Sequence, residues 1–355
     1  MTMTRYTALG IMSGSSLDGL DLAFCEFWKE AGKWNYRIAA ADTLPYDEEW
    51  KMLLQESFHT GGMKLIENHI AYGKFLGQKA ASFLKKNGLD PDIIASHGHT
   101  VFHQPQKGFS FQLGDGQALA TASGMETVSD FRNKDIQAGG QGAPLVPIGD
   151  KLLFGEYDYC VNFGGIANIS FEENGKRVAY DVCPANQLLN HLSRQMGEPY
   201  DKNGRTASLG KMDIALFEAL NAVSFYRQPY PKSLSNEQVK ELFIPLLDQS
   251  TAPLEDKLYT VVKHIAYHIA RASENTSGKK MLLTGGGARN GFLVKAIRME
   301  CPEKEVYVPD TTLIDFKEAL IFAFMGVLRK LNQTNCLASA TGAAKDTSTG
   351  VIFQP

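Results

Sequence analysis

"LGIMSGSSLDGLDLAF", residues 9–24, sets two apolar runs on either side of a turn built from Ser13, Gly14, Ser15 and Ser16, with Asp18 and Asp21 close behind. A tight hairpin asks only for Asn-Gly or Asp-Gly. This longer turn offers consecutive backbone N–H groups and hydroxyls to an anion, the arrangement known as a nest. Asp18 and Asp21 are the type of group that holds Mg2+ beside phosphates, because magnesium favours carboxylates together with water and substrate oxygens. On these residues alone, a solvent-exposed Gly/Ser turn reads equally well.

Outward from the turn, residues 7–12, 21–27 and 36–44 alternate as strands, with a second turn at Gly32. Helical periodicity covers residues 47–57 and 64–86 and stops at Asn87-Gly88. "DIIASHG", residues 92–98, is a short buried strand opening into polar residues. A second cycle starts near Asp150: "YCVNFGGIANIS" (159–170) and "RVAYDVCP" (177–184) read as another hairpin. Helices are expected over 186–196, 211–226, 254–273, 290–300 and 315–331, with an apolar strand, "KKMLLTGGG", at 279–287. Each half therefore opens with a hairpin whose turn is rich in Gly, Ser or Asn, and two such turns facing each other across a cleft make a phosphate clamp.

Bulk properties narrow the partners. The chain has 355 residues, enough for two domains, and a formal net charge of -3 without a basic run, which argues against nucleic acid. Five cysteines, widely spaced and without a C-x-x-C pair, fit neither a disulfide framework nor a zinc site and suit a reducing compartment. The N-terminus carries no apolar secretory segment, and no apolar run reaches the roughly 18 residues of a membrane span. A cytoplasmic protein is expected.

Several motifs carry chemistry. "NFGGIAN", residues 162–168, places Gly164 and Gly165 where backbone can approach a ligand, or where a β-bulge sits. "LLTGGGARNGFL", residues 282–293, is strand, Gly285-Gly286-Gly287, then helix; it departs from the dinucleotide fingerprint at Asn290, and the chain has no P-loop. The junction suits a nucleotide or, equally, close packing of helix on strand. "SDFRNKDIQAGGQGAPLVP", residues 129–147, reads as a shaped loop in which Arg132 can fork to a carboxylate or phosphate, beside Asp130, Asp135 and Gln141. His97 and His99 are expected to share one face of a strand end; His264 and His268 sit one helical turn apart, and no Cys or Glu completes a zinc site with either pair. Asp181, at a strand end before a helix, is either a general base or a helix cap. Asp315 reads as a helix N-cap with Glu318 in a capping box.

Together these stretches resemble the anhydro-N-acetylmuramic acid kinases, a family of the actin/hexokinase/Hsp70 ATPase superfamily. The resemblance rests on "GIMSGSSLDGLD", "SHGHTVFHQP", "FQLGDGQALA", "SDFRNKDIQAGGQGAPLVPIGD", "VNFGGIANIS", "YDVCPAN", "YDKNGRTASLG", "LLTGGGARN" and "FKEALIFAFMG", in family order over nearly the whole chain. It implies an α/β, two-domain actin-like ATPase (ribonuclease H-like) fold with an interdomain cleft holding ATP and Mg2+. The domains are expected at residues 1–128 with 336–355, and 129–335. The resemblance assigns Gly14, Ser15, Ser16, Leu17, Asp18, Gly19, Leu20 and Asp21 to the first phosphate loop, with Asp18 and Asp21 toward the metal. It assigns Gly164, Gly165 and Asn168 to the second loop and Gly285, Gly286 and Gly287 to the wall near the adenosine. Asp181 becomes the base that activates water against the 1,6-anhydro bridge, and His97, Thr100, Asp130, Arg132, Gln141 and Glu318 become sugar-binding. A homodimer is implied.

The family pattern is altered at four places. Its "SGTSLDG" has Ser15, "DTGPGN" is "DVCPAN", "SHGQT" is "SHGHT", and "GDP" ends in Gly116. These changes keep two alternatives in view, a kinase of the same fold acting on another sugar and a non-catalytic nucleotide-binding regulator.

Overall fold

A computed structural model describes residues 4–14, 17, 19–274 and 277–355, so that Ser15, Ser16 and Asp18 of the opening turn lie outside the described residues. The chain forms two compact units, Met1–Phe154 with Phe316–Pro355, and Gly155–Asp315.

In the first unit β1 (Arg5–Ser13), β2 (Leu20–Glu30) and β3 (Lys33–Leu44) run as an antiparallel meander. On the other side of β1, β4 (Ile93–Ser96) adds in parallel; β5 (His99–Gln104) and β6 (Phe109–Leu113) leave it as a separate ribbon, and β7 (Thr127–Ser129) pairs in parallel with β4. The strand Val351–Phe353 closes the far edge against β7. One face of the sheet buries Leu9, Ile11, Leu22, Phe24 and Ile94 against Tyr72, Leu76 and Phe83 of the helix Gly62–Asn87. That helix ends, as its sequence predicts, at Gly88 with φ 63°. The other face packs Phe27 and Trp34 on Phe324, each with ring centroids 5.2 Å apart. There the helix Thr311–Lys330 crosses β1 so closely that a Cβ on Gly10 would stand 1.9 Å from the Ala319 carbonyl oxygen. Only glycine admits that approach.

The second unit repeats the plan. β8 (Tyr159–Phe163), β9 (Ile166–Glu173) and β10 (Lys176–Pro184) are antiparallel, while β11 (Lys280–Thr284) and β12 (Glu305–Tyr307) continue in parallel beyond β8. The helix Leu254–Ala272 buries Leu258, Val261, Ile265 and Ile269 in the same core as Val161, Ile169 and Leu283. Both sheets thus follow the order three-two-one-four-five with the second strand reversed. This is the ribonuclease H-like unit, and two of them in one chain make the α/β, two-domain actin-like fold.

Three expectations are corrected. The domain limits move because residues 129–154 and 316–335 pack within the first unit: Ser129 pairs with Val351, and Gly149 lies against Ile321. The helix expected over 211–226 is instead Ile214–Asn221, capped by Asp213, followed by a separate 3-10 turn at Ser224–Arg227, because Val223 takes an extended ψ of 133°. The helix expected to begin at Asp315 begins a turn earlier, at Thr311, where Asp310 accepts the Leu313 N–H at 2.9 Å. Asp315 is therefore interior and pairs with Arg289, and the capping-box role of Glu318 falls away.

Candidate active site

In the first unit the candidate residues gather around the end of β1. Ser13 is buried, and the Tyr46 hydroxyl donates to its Oγ at 2.9 Å. Tyr46 also bonds the Tyr72 hydroxyl at 2.6 Å, and Ser13 Oγ meets His99 Nδ1 at 3.2 Å. Burial pushes the His99 imidazole down to about 4, so it is neutral at physiological pH. One ordering of protons satisfies the chain: Tyr72 to Tyr46 to Ser13 to His99 Nδ1, leaving the N–H on Nε2. His97 does not share a strand face with His99, because Gly98 turns the chain at φ 71° between β4 and β5.

His97 instead holds Arg132. Its Nδ1–H donates to the Gly98 carbonyl at 2.9 Å, and its Nε2 accepts from Arg132 Nε and Nη2 at 3.1 and 2.7 Å. Arg132 Nη1 donates to the Gly142 carbonyl at 2.6 Å. Burial, with the Arg132 charge alongside, drives His97 down to about 3, while burial pulls Arg132 to about 10. The pair is thus a neutral acceptor fixing a permanent cation. Three of five guanidinium N–H donors are committed, and two remain for a ligand among the described contacts.

Glu318 belongs to the same neighbourhood. Its carboxyl is raised by burial, with Lys317 opposing, Asp21 adding like charge and Arg132 opposing. Asp21 accepts the Thr43 hydroxyl at 2.6 Å. Asp130, at φ 58°, spends one oxygen on Asn133 Nδ2 at 2.8 Å. Asp135 is wholly buried and shapes the loop, taking the Gly142 N–H and the Thr341 hydroxyl, each at 2.8 Å. Gln141 and Thr100 are exposed; Thr100 Oγ1 accepts from Gln112 at 3.3 Å. Leu17 is buried at φ 56°, its N–H on the Gly14 carbonyl at 3.3 Å, and Gly19 and Leu20 are buried where β2 begins.

In the second unit the register lines up a polar row across four strands: Thr284 beside Asn162, Asn162 opposite Asn168, and Asn168 opposite Asp181. Facing residues of neighbouring strands share one side of a sheet. Thr284 Oγ1 donates to Asn162 Oδ1 at 3.3 Å. Above this row the Gly164 and Gly165 carbonyls take the N–H groups of Asn186 and Gln187 at 3.2 and 3.1 Å, capping the helix Asn186–Arg194. Asn186 Nδ2 in turn donates to the Phe163 carbonyl at 3.0 Å.

The triple glycine divides by position. A Cβ on Gly285 or Gly287 would run into Asn162 or Phe163 at 2.7 or 2.6 Å, so packing requires both. Gly286 has nothing nearer than 3.9 Å. Gly164 is similarly open, with its closest neighbour at 3.6 Å. These two face space a ligand can enter.

Asp181 is not a helix cap. It lies inside β10 at a bulge, its N–H on the Lys232 carbonyl at 3.0 Å and its Oδ2 taking the Leu234 N–H at 2.8 Å. Burial lifts its carboxyl to about 6, with the Leu234 bond acting the other way. Cys183 and Ala185, where the family pattern has glycine, are buried and neither takes a positive φ, so the replacements bring no backbone strain. Gly116, where the pattern has proline, leaves room for the Phe353 ring, which a Cβ would meet at 2.4 Å.

The sequence had pointed to the glycine corners, Arg132 and Asp181. It had not paired His97 with Arg132 or aligned Asn162 and Thr284 with Asp181. The near-symmetry of Asn162 and Asn168 about Gly164-Gly165 was the available signal for that row.

Comparison with known proteins identifies the family. The family model described as anhydro-N-acetylmuramic acid kinase covers residues 6–355. An anhydro-N-acetylmuramic acid kinase of Photobacterium profundum is 31% identical, over 99% of this chain and 99% of its own. Those of Actinobacillus pleuropneumoniae serotype 7 and Mannheimia succiniciproducens are each 34% identical, over 99% of this chain and 100% of theirs. Full-length agreement at this level, on a chain that carries the glycine corners, the fixed arginine and the half-buried carboxylate, places the protein in the anhydro-N-acetylmuramic acid kinase family.

Proposed function

We propose that this chain is an ATP-dependent sugar kinase that opens 1,6-anhydro-N-acetylmuramic acid with water and phosphorylates O6, giving N-acetylmuramic acid 6-phosphate for cell-wall recycling. The observation that carries the reading is Asp181: a half-buried carboxyl near 6, held through one oxygen, in a polar row beside the glycine corners. A base poised near neutrality takes a proton from water efficiently. The water oxygen adds to C1, the C1–O6 bond breaks, and O6 takes the γ-phosphoryl of ATP as ADP leaves. The proton held by Asp181 then returns to solvent.

The remaining residues position the reactants, which is most of what phosphoryl transfer asks. Gly164, Gly286 and Asn168 serve the nucleotide from the second unit, and the hairpin after β1 serves the phosphates from the first. Arg132, fixed by His97, and Glu318 orient the sugar. The described residues contain no cluster of three or more metal-ligating side chains. A Mg2+ that keeps waters and phosphate oxygens takes only one or two carboxylates, for which Asp21 and Asp18 are the candidates. When bound, Mg2+ neutralises phosphate charge.

The altered motif supports the family's own sugar over a different one, since Val182 and Cys183 are buried and His99 is spent on Ser13. The described helices include none long and apolar enough to cross a membrane. Sedimentation measures the homodimer. The test of function is ADP release from Mg-ATP with and without the anhydro sugar. Sugar-dependent release is expected; a folded, ATP-binding protein that ignores the sugar overturns the reading.

A further inference from the structure

The second unit holds a cavity of about 380 Å³, walled by β10 through Tyr180 and Val182 on either side of Asp181, the segment after Ser224–Arg227 and the helix Leu254–Ala272. Small-molecule sites run from roughly 300 to 1,000 Å³. Three cations reach this one: Arg227, Lys232 and Arg271. Among the described residues no carboxylate lines it; Glu173 accepts the hydroxyl of the lining Tyr230 at 2.8 Å. Lys232 Nζ donates to the Phe225 carbonyl at 3.1 Å and Arg227 Nη1 to the Ala222 carbonyl at 2.9 Å, so these cations are held by neutral oxygens and an anion would supply the opposite charge that the lining lacks.

The walls are flat and fixed. Tyr180 and Tyr230 stack with centroids 4.9 Å apart, and Tyr226 stacks on His268 at 3.7 Å. A buried network holds the second pair: Tyr226 OH donates to His264 Nε2 at 2.7 Å, and Asn221 Oδ1 accepts from His264 Nδ1 and His268 Nε2 at 2.9 and 2.8 Å. Both imidazoles are kept neutral, His264 near 3 by burial and His268 near 2 by burial, His264, Lys232 and Arg271. The two histidines that resembled a metal pair in the sequence are scaffolding for an aromatic wall. Preformed aromatic walls with a few convergent polar groups are what a small-molecule site requires.

We propose that this cavity is a second binding site, for an organic phosphate carrying a flat ring: the ring packs against the tyrosines, and the phosphate bridges the arginines and Lys232. The site goes beyond the kinase reading and does not depend on it.

The experiment is calorimetric titration of the intact protein with phenyl phosphate, inorganic phosphate and benzyl alcohol, repeated under saturating Mg-ATP. The expected result is one site for phenyl phosphate, about tenfold or more tighter than for either fragment and unchanged by Mg-ATP. Arg227→Gln with Arg271→Gln removes two exposed cations and should weaken it about tenfold or more. Gln228→Glu, an exposed lining position given a negative charge, should weaken phenyl phosphate while sparing benzyl alcohol. Both variants should keep the wild-type melting temperature. Equal affinity for inorganic phosphate, displacement by Mg-ATP, or indifference to both variants would each overturn the site.

Discussion

The two units share a sheet plan but finish their first hairpin in opposite ways. In the first, Ser13 pairs with Leu20 across residues 14–19, and the next position on β2 is Asp21. In the second, Phe163 pairs with Ala167 across residues 164–166, and the equivalent position on β9 is the neutral Asn168. The third strand then reverses the assignment: Thr43 stands opposite Asp21, while Asp181 stands opposite Asn168. Asp21 and a guanidinium that stays charged both act on Glu318, so charge gathers at that hairpin. Asp181 has only a backbone N–H against its burial, so its proton is exchangeable near neutrality. In the proposed function, the repeated sheet plan carries recognition by charge in one half and proton transfer in the other.

The largest expected break in this division comes from Asp181→Asn, which should retain ATP binding and lose about 10²- to 10⁴-fold in turnover, read by steady-state kinetics. Wild-type turnover should rise with pH through about 6 and level off above it, because the active form is the carboxylate. Next comes Arg132→Lys. A point charge replaces a fork held by His97 and Gly142, and kcat/KM for the sugar should fall about 10- to 100-fold while the KM for ATP stays put.

A stability measurement sharpens the comparison from the other side. Burial lifts the Asp181 carboxyl to about 6 in the folded protein, above the ordinary carboxylate range of the unfolded chain, so the native protein binds its proton more tightly than the unfolded chain does. Wild-type stability is therefore lost as pH rises from about 4 to 6 and stays lost above. Asp181→Asn should escape that loss and be more stable at pH 7.5 by about 1–3 kcal/mol, with the gap closing below pH 4 in denaturant melts. The smallest effect belongs to Gly286→Ala, which should leave stability within about 0.5 kcal/mol and raise the KM for ATP a few-fold. A Gly285→Ala control, at φ 76° and against Asn162, should destabilise instead.

Much of this was legible in the residues. Alternating apolar runs gave the strands, and Asn87-Gly88 marked a helix end that forms as read. Glycine corners marked where strands turn beside helices. What escaped was set by partners distant in the chain. Asp310 and Asp315 both look like caps, and the choice depends on which one reaches the Leu313 N–H. His97 and Arg132 lie 35 positions apart, and nothing local says that one fixes the other. Domain limits moved for a similar reason, since residues 315–331 read as an ordinary helix and nothing local says that Ala319 will stand against Gly10.

That crossing, with the edge strand Val351–Phe353 on β7, has a consequence in time. Gly155–Asp315 is an unbroken stretch, whereas the first unit needs Phe316–Pro355 to cover its sheet. At roughly 5–20 residues per second, synthesis of residues 155–355 takes on the order of 10–40 s. Throughout that interval β1 through β7 exist with one apolar face bare and one edge unpaired. The part of the protein made first is the part finished last, and it is the part a nascent-chain chaperone has most reason to hold.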